Sequence, residues 1–410
     1  MQSTTVTQAA ETDTEQCVAL LQRLIAIESL SGHEGALTEQ VVRELTQLGL
    51  REIEVDAAGN VLAVVRGRGE APPLMLNTHL DHVDVGDVAR WPHSPCAANH
   101  EAGVVWGRGA VDIKGPMAAQ IAAIARLAQG EAPPGDVWIS MVVQEEVGGL
   151  GARFLAARSP ARIVVVGEPS SNTLRRGHRG RVLLEAHLTG RSAHASVPHQ
   201  GRNPLFALAA LLTALHEQAG DLPFADGLGR STAAPTLLRT DQTSSNVIPA
   251  EVWQAIDYRC IAGESSSSVR ARLQALGEAV ATPFGCTVEV CVPVRRVVSY
   301  TGHTLDMPAD NPAYLLDADL PELRAAAAIR RRALYGSSAA ASEDADEPAA
   351  VWNFATDGGH FARAGLLPIG FGPGDELLAH TVDERIEVAE LIQAVRVYEA
   401  LARELTQTLG

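Results

Sequence analysis

The sequence lacks the patterns that mark several large classes of protein. It contains no run of about 18 consecutive apolar residues, the length that a membrane-spanning helix needs. Its N-terminus, MQSTTVTQAAETDTEQ, has neither the basic nor the apolar segment of a signal peptide. No Lys/Arg-rich run occurs, and 33 basic residues against 49 acidic ones give a formal net charge of −16 at pH 7. These features argue against nucleic acid and against a membrane as partners, so we expect a cytoplasmic protein that acts on a small molecule.

Cysteine is also scarce and scattered. The cysteines are Cys17, Cys96, Cys260, Cys286 and Cys291. Their number is odd and no CxxC pair occurs, so neither a disulfide framework nor a thiolate zinc knuckle is indicated. We interpret them as reduced thiols with mostly structural roles.

The chain is long enough for two or three domains, at roughly 150 residues per domain. In its first part, residues 1–176, short apolar segments alternate with helical patterns. These segments are PLMLNT (73–78), VWISMVVQ (137–144) and RIVVVG (162–167). Near-continuously apolar strands separated by helices indicate an α/β fold, in which a mostly parallel mixed sheet is covered by helices on both faces. Two amphipathic helices (15–28 and 36–48) and a hairpin (52–67) are predicted near the start.

The pattern changes after about residue 176. RVLLEAHLT (181–189) and EVWQAIDYR (251–259) alternate apolar and polar residues, which is typical of a sheet with one exposed face. We therefore predict an inserted α+β domain at 177–293, with the first domain resuming at 294–410. Within 325–350, an Ala/Ser/acid-rich stretch, the latter half is predicted to be a mobile surface loop.

Polar residues of the kinds that bind metals lie at or near strand ends. In open α/β sheets, ligands bind beyond the carboxyl ends of the strands. The residues concerned are His79, Asp112, Glu146, Glu168 and His380. Each alone has an ordinary explanation, such as a loop histidine beside an acid or a solvated pair of glutamates. Together at one sheet edge they would repel one another unless a cation compensated the carboxylates.

Two histidines and three carboxylates suit two borderline-soft divalent ions such as zinc. Each ion would take one His and one carboxylate, and the third carboxylate would bridge ions about 3.5–4 Å apart. Asp81 follows His79 by two residues and could orient its imidazole. Glu145, beside Glu146 but on the opposite side of an extended backbone, is placed to take a proton from an activated water.

These residues lie in segments that resemble a known family. The segments are THLDHVDVGD, GRGAVDIKGPMAA, QEEVGGLGARF, GEPSS, GRSAHASVPHQGRNP and AHTVDE. In order and content they resemble the co-catalytic zinc hydrolases that include acetylornithine deacetylase, succinyl-diaminopimelate desuccinylase, aminoacylase and glutamate carboxypeptidase. The resemblance implies a fold like that of the di-zinc exopeptidases, with the inserted domain serving as a lid and a dimerisation surface.

The resemblance also implies roles for the metal-site residues. One metal would be bound by His79 and Glu168 and the other by Glu146 and His380. Asp112 would bridge the two metals, Asp81 would support them, and Glu145 would be the general base. Glu rather than Asp at position 168 is similar to the deacetylases and desuccinylases. Zinc is the implied metal, with cobalt or manganese as alternatives.

Further roles follow from the resemblance for residues outside the metal site. His194 would reach the active site of a neighbouring subunit, with Asn246 as its companion, which implies a homodimer. Arg179 and Arg259 match positions that bind a substrate carboxylate, a task that suits a planar guanidinium, although surface salt bridging would also explain them. The segment TDGGHFARAG, which contains Gly358, resembles the Gly-rich substrate loop of the family.

The predicted function is hydrolysis of an amide bond in an N-acyl amino acid or a small peptide, with Glu145 as the base. A di- or carboxypeptidase of the same superfamily is an alternative, and a non-catalytic metal-binding scaffold is an alternative of another class. A dinucleotide oxidoreductase is disfavoured because GRGAVD has Asp112 where the third glycine of GxGxxG would stand. A base at Glu145 argues against the scaffold, since a scaffold has no use for one.

Overall fold

The computed structural model of the chain describes residues 2–336 and 349–407. The α-helices in these residues are α1 (Gln2–Ile25), α2 (Gly35–Gln47), α3 (Lys114–Gln129), α4 (Leu150–Ala156), α5 (Pro204–Glu217), α6 (Ser266–Ala281), α7 (Pro321–Tyr335), α8 (Gly358–Arg363) and α9 (Val388–Glu404). Short 3₁₀-helices lie at Val88–Arg90, Pro198–Gln200, Gln218–Asp221, Thr282–Phe284 and Glu376–Leu378. In this part of the chain no helix has the length and apolar character needed to cross a membrane.

A mixed sheet forms the centre of the fold. Its strands are β1 (Glu52–Val55), β2 (Val61–Val65), β3 (Leu74–His79), β6 (Val137–Val142), β7 (Ile163–Val166), β8 (Arg175–His178), β20 (Tyr314–Leu315), β21 (Ala350–Trp352) and β22 (Leu367–Gly370). The four strands in the middle, in the order β6, β3, β7, β22, run parallel to one another. On one side β1 and β2 form the predicted antiparallel hairpin, and on the other side β8 and β20 pair antiparallel. The predicted α/β class with a mostly parallel sheet is confirmed.

The middle strands are mostly apolar because both of their faces are covered. Along β7, Ile163 and Val165 belong to the large core beneath α1, α3 and α9, whereas Val164 and Val166 belong to a core beneath α4 and α8. Successive side chains of a strand point to opposite faces, so a strand buried on both sides has few polar positions. The sheet is thereby fixed from both sides, and the ends of its strands form a rigid edge.

A second sheet has its own core. Its strands are β9 (Gly180–Thr189), β13 (Thr232–Thr240), β15 (Glu251–Cys260), β16 (Thr287–Cys291) and β19 (Asp310–Asn311). All of its pairings are antiparallel. The alternate buried residues of β15 pack with α5 and α6, which explains the apolar and polar alternation in the sequence.

The remaining strands form four small sheets. They are β4 (His100–Glu101), β5 (Val104–Trp106) and β23 (Arg385–Glu387); β10 (Ala193–His194) with β14 (Val247–Ile248); β11 (Phe224–Ala225) with β12 (Gly229–Arg230); and β17 (Val294–Val298) with β18 (Thr304–Pro308). Strand β23 is followed directly by α9, which begins at Val388.

The chain returns to the central sheet later than the sequence pattern suggested. Residues 294–308 form the antiparallel hairpin β17–β18, and β19 still pairs with β9 of the second sheet. The first strand to rejoin the central sheet is β20. The boundaries at 176 and 294 stay a prediction. The first half of the segment 325–350 lies mainly in α7. Of its latter half, for which a mobile loop was predicted, residues 337–348 lie outside the described residues, and Ala350 begins β21.

Candidate metal centre and active site

Three parallel strands deliver polar side chains to one edge of the central sheet. Strand β3 ends at His79, β6 is followed by Glu145 and Glu146, and β7 is followed by Glu168. Because β3 pairs in parallel with both β6 and β7, the three strand ends lie side by side. The predicted convergence of these residues at the carboxyl edge is therefore present in the structure.

Asp112 and His380 reach the same place from loops. Asp112 lies between β5 and α3, and His380 lies in the loop between β22 and β23. The backbone of His380 is left-handed (φ +62°), a conformation that is uncommon for a residue other than glycine. Uncommon backbone conformations of this kind cluster at functional sites, where surrounding contacts hold them.

The five residues form two groups of potential metal ligands that share Asp112. In the first group, His79 Nε2 lies 3.1 Å from Asp112 Oδ1 and 3.6 Å from Glu168 Oε1. In the second, His380 Nε2 lies 3.1 Å from Asp112 Oδ2 and 3.0 Å from Glu146 Oε1. Within each group the ligand atoms all lie within 4.8 Å of one another. We call these groups the His79 triad and the His380 triad.

The two triads fit a pair of divalent metal ions. A tetrahedral ion with bonds of about 2.0–2.1 Å requires neighbouring ligand atoms about 3.3 Å apart, close to the distances within each triad. The two oxygens of Asp112 point to different histidines, as a carboxylate that bridges two ions must. Imidazole nitrogen and carboxylate oxygen are also a ligand set that zinc and similar ions accept.

The pKa shifts of the triad residues show that positive charge would stabilise the site. Burial raises the pKa of Glu168 well above its usual value, and the charges of Asp112, Asp357 and Glu146 raise it further despite the opposing effect of His79. The hydrogen bond to Asp112 is the main cause that raises the pKa of His380 to about 10, followed by the one to Glu146. In the absence of other cations, these side chains would therefore bind protons, and divalent ions that bind at the site would displace those protons.

Glu145 is buried beside the triads but belongs to neither of them. Burial raises the pKa of its carboxyl well above the usual value, and the charges of Asp357, Glu168 and Glu146 add to this against the effect of His79. The prediction that Glu145 and Glu146 lie on opposite sides of an extended backbone was wrong. Residues 145–148 form a turn in which the Gly148 N–H donates to the Glu145 carbonyl at 3.0 Å, because Gln144 has a positive φ (+58°) that turns the chain.

Asp81 supports the site through the backbone as well as through His79. The His79 Nδ1–H donates to the main-chain carbonyl of Asp81 at 2.9 Å, which leaves Nε2 facing the carboxylates. The carboxylate of Asp81 lies farther away, at 3.5 Å from Nδ1. It accepts instead from the backbone N–H groups of Glu145 (3.0 Å) and Glu146 (3.2 Å) and from the hydroxyl of Ser31 (2.6 Å). Asp81 therefore holds the Glu145–Glu146 turn in place.

A buried ion pair that was not predicted from the sequence connects the two loops of the site. Glu384 follows His380 by four residues, and its Oε1 accepts from the backbone N–H groups of Val111 (3.0 Å) and Asp112 (3.1 Å). Its Oε2 accepts from Arg108 Nη1 at 2.5 Å. Both residues lie within motifs that the sequence reading had singled out, GRGAVD and AHTVDE, but their contact spans 276 positions of the chain.

The residues that the resemblance singled out between positions 177 and 293 form two pairs. His194 is exposed on β10, and Asn246 precedes β14, the strand that pairs with it. The carbonyl of Asn246 accepts from the Ala195 N–H at 2.9 Å. Arg179 lies beside Arg259, since its Nη2 donates to the Arg259 carbonyl at 3.4 Å.

The guanidinium of Arg259 already has a carboxylate partner, because its Nε donates to Asp257 at 2.8 Å. In the described residues, no hydrogen bond or ion pair links Arg179, Arg259 or His194 to either triad. Their substrate-binding roles stay a prediction.

Gly358 begins α8 in a crowded position. A Cβ atom at this residue would lie 2.8 Å from Tyr314 Cε1, so any larger side chain would push into the Tyr314 ring. The Gly358 N–H donates to Thr356 Oγ1 at 3.0 Å. Two neighbours of Gly358, Asp357 and Tyr314, are buried polar residues that the sequence reading did not assign to the site.

Comparisons with known proteins match this arrangement. A profile of Peptidase family M20/M25/M40 matches residues 75–404, which include all five residues of the two triads. The chain is 29% identical over 394 residues to a succinyl-diaminopimelate desuccinylase from Ruegeria pomeroyi, covering 93% of this chain and 96% of the relative. The similarity therefore extends over nearly the whole of both chains.

Solved structures of low sequence identity share the fold. An aminopeptidase PepT from Bacillus cereus superposes with a TM-score of 0.73 at 18% identity, covering 96% of this chain and 98% of that one. The Bacillus subtilis protein YXEP, described as a dinuclear metal-binding peptidase of the M20 family, also superposes with a TM-score of 0.73. Its identity is 16%, and the match covers 97% of this chain and 99% of that one.

Proposed function

The chain belongs to peptidase family M20/M25/M40 and is a metal-dependent hydrolase of amide bonds, and from this premise we propose that it removes the acyl group from an N-acyl amino acid. The shared Asp112 carries the proposal, because a carboxylate with one oxygen toward each triad suits two cooperating ions. Zinc as the metal, the cytoplasm as the location and a homodimer as the assembly are parts of the same proposal. Deacylation is supported by the named reaction of the desuccinylase relative and by glutamate at position 168.

The metal ions would be held by His79, Glu168, Glu146 and His380, with Asp112 between them. Two divalent ions supply Lewis acidity, which withdraws charge from a carbonyl oxygen and makes a water molecule more acidic. Glu145 takes the proton from the attacking water and returns it to the leaving amine. Its buried carboxyl has a raised pKa, so it holds a proton more readily than an exposed glutamate does. Asp81 keeps the Glu145 backbone in place during both transfers.

A panel of amides tests the proposed reaction. The metal-reconstituted protein is incubated with N-acetyl, N-succinyl and N-formyl amino acids and with dipeptides, and the release of primary amine is measured. We expect release from N-acyl amino acids, loss of activity on chelation, and recovery with zinc, cobalt or manganese. Release from dipeptides alone would overturn deacylation in favour of a peptidase. No release from any amide, with two metals verified, would overturn the proposed function itself.

The proposed dimer uses the free edge of the second sheet. Strand β13 lies at that edge and exposes Leu237 (76% exposed) and Leu238 (54%). Unpaired strand edges with apolar side chains are surfaces on which a second chain can add. In the dimer, His194 of each chain would reach the partner's site and polarise the scissile carbonyl.

Mixing two inactive variants tests this sharing of residues. Glu145→Gln and His194→Ala subunits are each expected to be inactive, and a mixture allowed to exchange subunits should regain up to about a quarter of wild-type activity. The reason is that half of the sites in a statistical mixture lie in hybrids, and one of the two sites in each hybrid has both residues intact. Mass spectrometry of differently tagged subunits verifies exchange. If exchange is verified and activity does not return, His194 acts within its own chain or not at all.

A further inference from the structure

Asp357 is a buried carboxylate without a hydrogen-bond partner. It lies immediately before α8 and is 2% exposed, and neither of its side-chain oxygens has a hydrogen-bond partner among the described residues. Buried polar groups in folded proteins are almost always hydrogen-bonded, because leaving one unpaired costs free energy. A carboxylate whose two oxygens are unpartnered among the described residues is a candidate to bind a group of the substrate.

The cations nearest to Asp357 are engaged elsewhere. The charge of Arg153 reaches Asp357, but Arg153 Nη2 donates to Asp310 Oδ1 at 2.8 Å. Arg363, on the following helix, donates to Asp310 Oδ2 at 3.3 Å. Asp310 is therefore hydrogen-bonded to both arginines, and no cationic side chain of the described residues forms a hydrogen bond with Asp357.

The carboxylate of Asp357 borders the active site without being part of either triad. A Cβ atom added to Gly149 would lie 2.7 Å from Asp357 Oδ1, and Gly149 directly follows the turn that carries Glu145 and Glu146. The charge of Asp357 also acts on Glu145 and Glu168. Asp357 contributes no ligand atom to the groups that could hold a metal among the described residues.

Tyr314 provides a second, independent observation on the same wall. It is 4% exposed, and in the part of the chain that the structure describes its hydroxyl has no hydrogen-bond partner. Its ring lies against Gly358, the residue that follows Asp357. Burial raises the pKa of the Tyr314 hydroxyl, and the charge of Glu168, a member of the His79 triad, adds to this effect. Tyr314 is thus a second buried polar group, next to the residue that follows Asp357, whose polar atom no described residue pairs.

The charges of the site favour a cationic occupant. Six carboxylates act on one another there, namely Asp81, Asp112, Glu145, Glu146, Glu168 and Asp357. Two bound divalent ions would offset four of these six negative charges and leave two, while Arg153, whose charge also reaches Asp357, is itself paired with Asp310. A positively charged group of the substrate would reduce this remaining negative charge, whereas a second anionic group would increase it.

We propose that Asp357, together with the Tyr314 hydroxyl, binds an ammonium group of the substrate. The amide that the enzyme prefers therefore carries a free, positively charged amine near the scissile bond. The carboxylate accepts hydrogen bonds from the ammonium group, and the phenol oxygen can accept another. This inference rests on the proposed function, because it names the class of amide that the same site selects.

Matched pairs of substrates test the inference. Nα-acetyl-L-lysine is compared with Nα-acetyl-L-norleucine, and L-alanyl-L-leucine with propionyl-L-leucine; within each pair only the amine is absent from the second member. The first pair places the ammonium on the amine side of the scissile amide, and the second pair places it on the acyl side. For at least one pair, we expect kcat/KM to be about 10- to 100-fold higher for the charged member.

Asp357→Asn should lower the ratio of kcat/KM between the charged and the neutral member to near one, mainly through a higher KM for the charged member. Tyr314→Phe, which keeps the ring, should reduce it about fivefold, in keeping with the loss of one hydrogen bond. It serves as the second variant if Asp357→Asn does not fold. Asp319→Asn, on the exposed loop before α7, is the matched control and should leave both activity and preference unchanged.

The outcomes separate this inference from the proposed function. Equal hydrolysis of both members of each pair by the wild type would overturn the inference alone. Equal losses of kcat/KM for the charged and the neutral members, in both Asp357→Asn and Tyr314→Phe, would also overturn it. Such losses would indicate a purely structural role. Hydrolysis of no amide at all would overturn the proposed function together with the inference.

Discussion

Replacing Glu145 with glutamine is expected to lower kcat by about 10²- to 10⁴-fold, the usual contribution of a general base. The carboxamide keeps the size of the side chain but cannot take a proton from water. Glu145 supplies no atom to either triad, so the loss should come from proton transfer and not from loss of metal. Steady-state kinetics on the best substrate of the amide panel, with elemental analysis of the same preparation, measures both quantities.

Glu146→Gln is the matched control because it makes the same chemical change one residue along the chain. Glu146 Oε1 lies 3.0 Å from His380 Nε2 in the His380 triad, so this variant should lose metal as well as activity. Two metals per chain with a low kcat in Glu145→Gln, beside reduced metal in Glu146→Gln, would support the separate roles. A near-normal kcat in Glu145→Gln with full metal content would remove Glu145 as the base.

The sequence was sufficient to predict the edge of the central sheet at which the site lies. Apolar segments that are covered on both faces identify β3, β6 and β7, and parallel pairing brings the residues after them together. The polar residues that follow these strands, His79, Glu145–Glu146 and Glu168, could therefore be grouped before any contact was known. Asp112 and His380 lie in loops, and their inclusion depended on residue type and on motif resemblance.

Contacts between distant loops were beyond the reach of the sequence pattern. The contact of Glu384 with the Asp112 N–H spans 272 positions, and that of Trp352 with the Pro169 carbonyl spans 183. Periodicity describes which face of an element is buried, but it carries no information about which loops meet at a sheet edge. Asp357 was missed for the same reason: its importance lies in the lack of a partner, which becomes visible only when all of its neighbours are placed.

The predicted conformation of the backbone at Glu145 was wrong because it was inferred from the neighbouring strand. Strand β6 ends at Val142, and the positive φ of Gln144 turns the chain before Glu145 is reached. The position of Glu145 beside the triads therefore results from a turn held by the Asp81 carboxylate. Glycine-rich sequence after the pair, Val147-Gly148-Gly149, is typical of such a turn and was a usable signal.

Replacing Asp112 with alanine is expected to remove both metal ions, whereas loss of a carboxylate that serves one triad should remove only one. Each oxygen of Asp112 lies 3.1 Å from the Nε2 of a different histidine, so one substitution takes a ligand from both triads. Three protein ligands are the usual number at a zinc site that keeps an open position, and two hold the ion poorly. Metal content after gel filtration should fall from about two per chain to near zero.

Glu168→Ala is the matched control, since Glu168 contacts His79 at 3.6 Å and takes part in the His79 triad alone. We expect it to retain about one ion per chain, held by the His380 triad. Circular dichroism of both variants verifies that the fold persists, because metal-site carboxylates that repel one another can be removed without loss of the core. If Asp112→Ala kept two ions with a native spectrum, Asp112 would not be the bridge. The two ions would then be bound independently, and the catalytic argument from their shared ligand would fail.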